Sequence, residues 1–270
     1  MWTQHRGDAA HLVRHSTAGL VVAIGGDGTI AEVAAAIAQS RRPRQVLLPL
    51  PAGSGNSTCR NLWGDISLEQ ILDLVQRPGE CRVRSIDLLH LSEPRATVLL
   101  GASTGFLAQV LIGARAIDAN VTGIDRYYAA SAEVLQAMPA HPTRVTVDGV
   151  VLWDGPTSSV TVGGGRFRAR SFQFLPESEL DDGRLDVSTV SFLDAGGVAD
   201  LMPLILTGRH RTHHDVRYGR GQQVVIERTD GNPLVAEFDG DVWDVAGSRL
   251  TIDIVPDALR VLVPKTPPCG

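Results

Sequence analysis

Two short runs near the start of the chain have the composition to meet a phosphate. Gly25-Gly26-Asp27-Gly28-Thr29 stands where the apolar run Leu20 to Ile24 hands over to the alanine-rich stretch Ile30 to Gln39. Glycines let a backbone approach phosphate oxygens, and the helix start behind them aims free N–H groups at an anion. Asp27 adds a carboxylate that can hold Mg²⁺ or accept a proton. The plainer reading is a structural turn in which Asp27 or Thr29 caps the helix. Pro51-Ala52-Gly53-Ser54-Gly55-Asn56-Ser57 repeats the arrangement between the apolar run Val46 to Leu50 and a second expected helix. Neighbouring parallel strands carry such turns to one carboxyl edge, where open α/β sheets bind ligands. Together the two turns suggest a nucleotide. Neither is GxxxxGK[ST] or GxGxxG, which disfavours a P-loop and a dinucleotide fingerprint.

The elements that must position these turns alternate. Helical patterns cover Ala9 to Ser16, Ile30 to Gln39 and Leu68 to Val75, with strands at Leu20 to Ile24 and Val46 to Leu50 between them. That order predicts a parallel sheet with helices on its faces. Beyond Arg82 the texture changes to short strands at 83–91, 96–101, 143–147, 158–162, 183–190, 224–227, 234–238 and 250–254. One long helix is expected over 107–137 and another over 197–206. This second part reads as mainly antiparallel.

The chain has 270 residues, 43% of them hydrophobic and 20% charged, enough apolar residues for a two-domain core. The net charge of −5 gives no support for nucleic-acid binding. Cys59, Cys81 and Cys269 form no CxxC pair, which argues against a zinc site or a disulfide framework and favours a reducing, cytoplasmic setting. No apolar run reaches the roughly 20 residues that span a bilayer, so if the substrate is a lipid it must be reached from the water side.

With these residues on the page, the chain resembles the diacylglycerol kinase catalytic family, which includes sphingosine, ceramide and bacterial lipid kinases. GGDGT with Ile30, Glu32 and Val33 is similar to the family's first nucleotide signature. Leu48 to Leu62 resembles its P-x-G-T-x-N-D-x-A-R element. Pro176 to Val187 resembles P-x-A-x-x-x-D-G-x-L-x-V, Phe238-Asp239-Gly240-Asp241 its D-G-E element, and Ala258 to Pro264 its last strand. GGDGT alone is shared with NAD kinases and phosphofructokinases; the ordered set is the stronger signal.

The resemblance implies an α/β plus β-rich fold. A Rossmann-like parallel-sheet nucleotide-binding domain (residues 1–84, with 257–270 returning to it) would precede a mainly antiparallel β-sandwich lipid-substrate domain (85–256), with the active site in the cleft between them. It implies ATP and Mg²⁺ as cofactors and a lipid hydroxyl as acceptor at the membrane surface, with the protein cytoplasmic and peripherally attached. Gly25, Gly26, Gly28 and Thr29 would line the phosphates, and Gly53, Ser54, Gly55, Asn56 and Asp241 would complete the nucleotide site. Asp239 matches the family's general base, with Asp27 its competitor, and Asp182 falls where bacterial members hold a structural metal, helped by the carbonyls of Glu179 and Arg184. Those members also imply a homodimer. Asp239-Gly240 is equally a good hairpin turn on its own residues, and Asp186 reads as a solvated or capping residue.

Several positions depart from the pattern. Ser57 stands where the family has aspartate and Asp241 where it has glutamate. The sequence begins at what resembles the segment after the family's N-P-x-S-G loop, so the expected sheet has an open edge that favours association with another chain. The arginines of Gly163-Gly164-Gly165-Arg166-Phe167-Arg168-Ala169-Arg170 read as a solvated face, or as contacts for phosphate or anionic lipid. His210, His213 and His214 lack a regular ligand spacing and read as an exposed basic loop. An NAD kinase-like enzyme and an inactive nucleotide- or lipid-binding homologue are the alternatives.

Overall fold

The computed structural model describes residues 2–40, 45–118, 120–121, 124–137, 140–169, 171–244 and 247–266; Arg170 and Cys269 lie outside them. The first third is built from α1 (Asp8–His15), β1 (Leu20–Gly25), α2 (Asp27–Ala38), β2 (Val46–Pro51), α3 (Ser57–Trp63) and α4 (Leu68–Gln76). The middle of the chain holds β3 (Cys81–Leu91), β4 (Ala96–Val98), β5 (Gly101–Gly105), α5 (Phe106–Ala116), α6 (Ile124–Ala137), β6 (His141–Val147) and β7 (Val150–Gly163). Then come β8 (Leu185–Ser191), α7 (Ala195–Leu206), β9 (Val216–Gly221), β10 (Gln223–Arg228), β11 (Val235–Phe238), β12 (Asp241–Asp244) and β13 (Arg249–Pro264).

β1, β2 and the end of β13 are parallel, and the remaining pairings are antiparallel. All thirteen strands join into one sheet, because β13 serves both halves. Its end pairs with β2, its start pairs with β10, and β3 follows it antiparallel along nearly its whole length. The sequence reads Leu250 to Ile254 and Ala258 to Pro264 as separate strands. The structure runs them together through an irregularity between Val255 and Leu259, with Asp257 at φ 53°.

Among the described residues the buried apolar side chains form four clusters, two of them large. Ile30, Leu47, Trp63, Ile71 and Ile86 centre the first, and Val160, Leu185, Val224, Ile226 and Leu250 the second. Alanines give α2 its close fit on the first core, where Ala34 and Ala36 are buried beside Ile30, Val33 and Ile37. α4 starts on a capping box: Ser67 accepts the Gln70 N–H and Gln70 accepts the Ser67 N–H at 2.7 Å. β1 pairs only with β2 among the described residues, and Leu20, Val22 and Ile24 alternate along it as exposed apolar residues.

Two further sequence expectations need correction, and two strands were not expected. The stretch 107–137 is two helices, α5 and α6, separated by a turn in which Asp118 accepts the Asn120 N–H at 2.8 Å. The expected strand 96–101 breaks at Leu99-Leu100, because those two N–H groups turn away to a carboxylate 140 positions on. β9 and β12 were invisible to an apolar-alternation reading: one carries glycines and arginines, the other is four residues with an aspartate at each end.

Candidate active site: two glycine turns beside an aspartate cleft

The two glycine turns are delivered side by side by β1 and β2, whose ends Gly25 and Pro51 are in register. Their glycines are needed first for each other. A Cβ on Gly53 would overlap the Cα of Gly26, and one on Gly55 would come 2.8 Å from Asp27 Oδ2. Asp27, in the first turn of α2, clips the turns together: its two oxygens accept the N–H groups of Ser57 at 3.0 Å and Thr58 at 2.8 Å, which start α3. Asn56 sits at φ 55° and folds its amide back on the turn, accepting the Gly53 N–H and donating to the Gly53 carbonyl. Gly53→Ala is expected to cost about 2 kcal/mol by forcing the turns apart, read as a lowered urea midpoint.

Beside the turns lies a cleft of about 430 Å³. Gly28, Thr29 and Glu32 of α2 face Asp239, Asp241 and Trp243 across it, and Arg6 closes one side. Arg6 meets Asp241 at 2.8 Å and lies over the Trp243 ring. Asp239 and Gly240 form the two-residue turn between β11 and β12, at φ 50° and 89°. Asp-Gly is the pair that tolerates positive φ at both positions, so the hairpin reading holds. The turn also does something more specific with its carboxylate. Asp239 Oδ2 accepts the Leu99 N–H at 2.6 Å, and Oδ1 accepts those of Leu100 at 2.8 Å and Gly101 at 3.3 Å. Burial among protein atoms pushes its carboxyl up to about 6, against the pull of the Leu99 and Leu100 N–H groups.

Behind this turn stands a buried ion pair that sequence reasoning missed. Arg168 and Glu237 are paired with side chains 7% and 3% exposed, and Glu237 Oε2 accepts the Gly240 N–H at 3.0 Å. Arg168 is therefore neither a solvated residue nor a free anion contact. Arg166 is half-exposed, donating to the Ser178 carbonyl at 3.0 Å. Asn61 of α3 reaches the same stretch, exchanging hydrogen bonds with the backbone of Phe167 at 2.9 and 3.1 Å.

Of the residues expected at the site, Gly28, Thr29, Asp239 and Asp241 line the cleft. Gly25, Gly26, Asp27, Gly53, Gly55 and Asn56 form the joined turns next to it, with Ser54 exposed at their tip. Asp182 does not line the cleft; its carboxylate is ion-paired with Arg220. Asp186 is buried and accepts the Tyr218 hydroxyl at 2.9 Å, so it is not a solvated residue: β8 carries it into the sheet interior. His210 is likewise buried, its Nε2 3.1 Å from the Phe174 carbonyl, and leaves the expected exposed loop. His213, His214 and Asp215 bring ligand atoms within 4.8 Å of one another.

Parallel βα units that deliver two glycine turns to one edge, followed by an antiparallel sheet with an Asp-Gly hairpin, define a mixed α/β fold with one continuous sheet. Residues 1–90 match the diacylglycerol kinase catalytic domain, and residues 102–263 match the YegS C-terminal NAD kinase β-sandwich-like domain. The chain belongs to the YegS family of diacylglycerol kinase-like proteins. It is 29% identical over 282 residues to a "Probable lipid kinase YegS-like" of Xanthomonas oryzae pv. oryzae (strain MAFF 311018), covering 98% of this chain and 86% of that one. A protein of the same name from Cronobacter sakazakii (strain ATCC BAA-894) is 26% identical, with the same two coverages. A diacylglycerol kinase crystal structure from Bacillus anthracis str. Sterne superposes with a TM-score of 0.71 at 20% identity, over 96% of this chain and 82% of that one.

Proposed function

We propose that the chain transfers the γ-phosphoryl group of ATP to the hydroxyl of a lipid, diacylglycerol-like or sphingoid-like, with Asp239 as the general base. The observation that carries this reading is the Asp239 carboxylate. Three backbone N–H groups fix it at the cleft, and a carboxylate has about four acceptor sites. One site is left for a substrate hydroxyl. A carboxyl near 6 is ionised at neutral pH yet basic enough to take a proton as the hydroxyl oxygen attacks phosphorus.

The paired glycine turns and the N-terminus of α2 would take the phosphates, with Asp27 setting the spacing of the turns. Residues 1–84 and 257–270 would then bind the nucleotide, and 85–256 the lipid. Asp241 would hold Mg²⁺ together with the phosphates once they displace Arg6, which pairs with it at 2.8 Å; when bound, the ion neutralises charge on the transferring group. No helix of the described residues is long and apolar enough to cross a membrane. On the lipid-kinase reading, the lipid would be met at a membrane surface by a cytoplasmic, peripherally attached protein.

The purified chain with Mg-ATP and a panel of lipid alcohols in mixed micelles, with NAD⁺ as a soluble acceptor beside them, tests the reading. Phosphorylated lipid supports it; phosphorylated NAD⁺ alone, or ATP binding without any product, sinks it. The rate should also fall with acid. Protonated Asp239 cannot accept the hydroxyl proton, so kcat/KM should drop about tenfold per pH unit below about 6 and level off above it. A flat profile from pH 5 to pH 8 would remove Asp239 as the base.

A further inference from the structure

The family resemblance gives Asp182 to a structural metal, and the structure places a different cation on it. β8 and β9 run antiparallel with Asp186 directly opposite Arg220. Arg220 Nη2 is ion-paired with Asp182 Oδ2, and its Nε lies 3.7 Å from Asp186 Oδ2. Both oxygens are buried and accept no hydrogen bond from the described residues. The companion oxygens are already engaged: Asp182 Oδ1 accepts the Arg184 N–H, and Asp186 Oδ1 accepts the Tyr218 hydroxyl, each at 2.9 Å. Two otherwise unsatisfied carboxylate oxygens thus share one guanidinium. A divalent ion at Asp182 would need the oxygen that Arg220 holds, beside a positive charge that proteins do not deprotonate. The metal does not fit this arrangement.

We infer that Arg220 replaces the structural metal, so that residues 176–186 are locked by a cation the chain itself carries. The segment has a clear reason to be locked, because it joins the two cores. The Leu180 carbonyl accepts the Asp87 N–H at 2.6 Å, the Gly183 N–H donates to Asp87 Oδ2 at 2.7 Å, and Asp181 pairs with Arg84. Asp87 also accepts the Asp257 N–H at 2.9 Å, at the irregular point of β13. A metal lock at this junction would make stability depend on free divalent ions. A guanidinium lock removes that dependence and leaves Mg²⁺ a role only at the cleft.

The experiment is a set of thermal melts of the full chain in EDTA, in millimolar Mg²⁺ and in millimolar Ca²⁺. Both ions prefer oxygen ligands, which keeps the His213-His214 pair out of the reading. The parent Tm is expected to be the same in all three. Arg220→Met should lower Tm in EDTA by roughly 5 °C and regain part of the loss in Ca²⁺, because its two carboxylates are then free to take the ion. Arg220→Lys, which keeps a cation, should melt close to the parent and ignore divalent ions. A parent Tm that rises with Mg²⁺ or Ca²⁺, and loses that rise in Asp182→Asn, would overturn the inference. So would an Arg220→Met protein that melts like the parent. The parent measurement needs no variant to fold.

Discussion

Asp239→Asn is expected to abolish lipid phosphorylation, lowering kcat by about 10²- to 10⁴-fold while ATP still binds. Asparagine keeps the turn, since it tolerates positive φ nearly as well as aspartate. It also keeps one oxygen to accept from Leu99 or Leu100, so the fold should lose only about 1–2 kcal/mol. What it cannot do is take a proton. The acid limb near pH 6 should therefore vanish from whatever residual rate survives. Asp27→Asn makes the comparison informative. Its carboxylate lies between the two glycine turns and already accepts from Ser57 and Thr58. Weakening that clip should show mainly as a higher KM for ATP and a lower melting temperature. If Asp27→Asn instead lost kcat as completely, while Asp239→Asn kept it, the base assignment would pass to Asp27.

The parallel half of the fold was legible because its signals are local. β1 and β2 each carry an apolar run closed by glycine or proline, α2 is rich in alanine, and α4 carries its own capping box. The glycine turns were legible for the same reason, although the sequence does not say that Gly53 must be glycine because Gly26 lies against it. Features that depend on a distant partner were not legible. The strand break at Leu99-Leu100 exists because Asp239 recruits both N–H groups. Arg168 looks like one arginine among several until β11 places Glu237 on it, and Asp186 looks soluble until β9 places Tyr218 and Arg220 beside it. Charged residues read as surface by default, and here the informative ones are those the sheet turns inward.

The Arg168–Glu237 pair carries the second large expected effect. Both side chains are almost fully buried, so removing one leaves the other charge uncompensated. Arg168→Met should destabilise the chain by about 3–5 kcal/mol, a fall in Tm of roughly 10 °C. The double variant Arg168→Met/Glu237→Gln should recover much of that, since two neutral side chains need no mutual compensation. The pair also acts on catalysis through Asp239. Glu237 holds the Gly240 N–H, and the charges of Arg168 and Glu237 pull the Asp239 carboxyl in opposite directions, the arginine down and the glutamate up. Loss of Arg168 should therefore move the acid limb of kcat/KM to higher pH, and Glu237→Gln should move it to lower pH. A pair that only held the fold together would change the melts and leave the limb in place. Opposite displacements of the limb, measured at a temperature where both variants are folded, would make Arg168 and Glu237 positioning residues that tune the base.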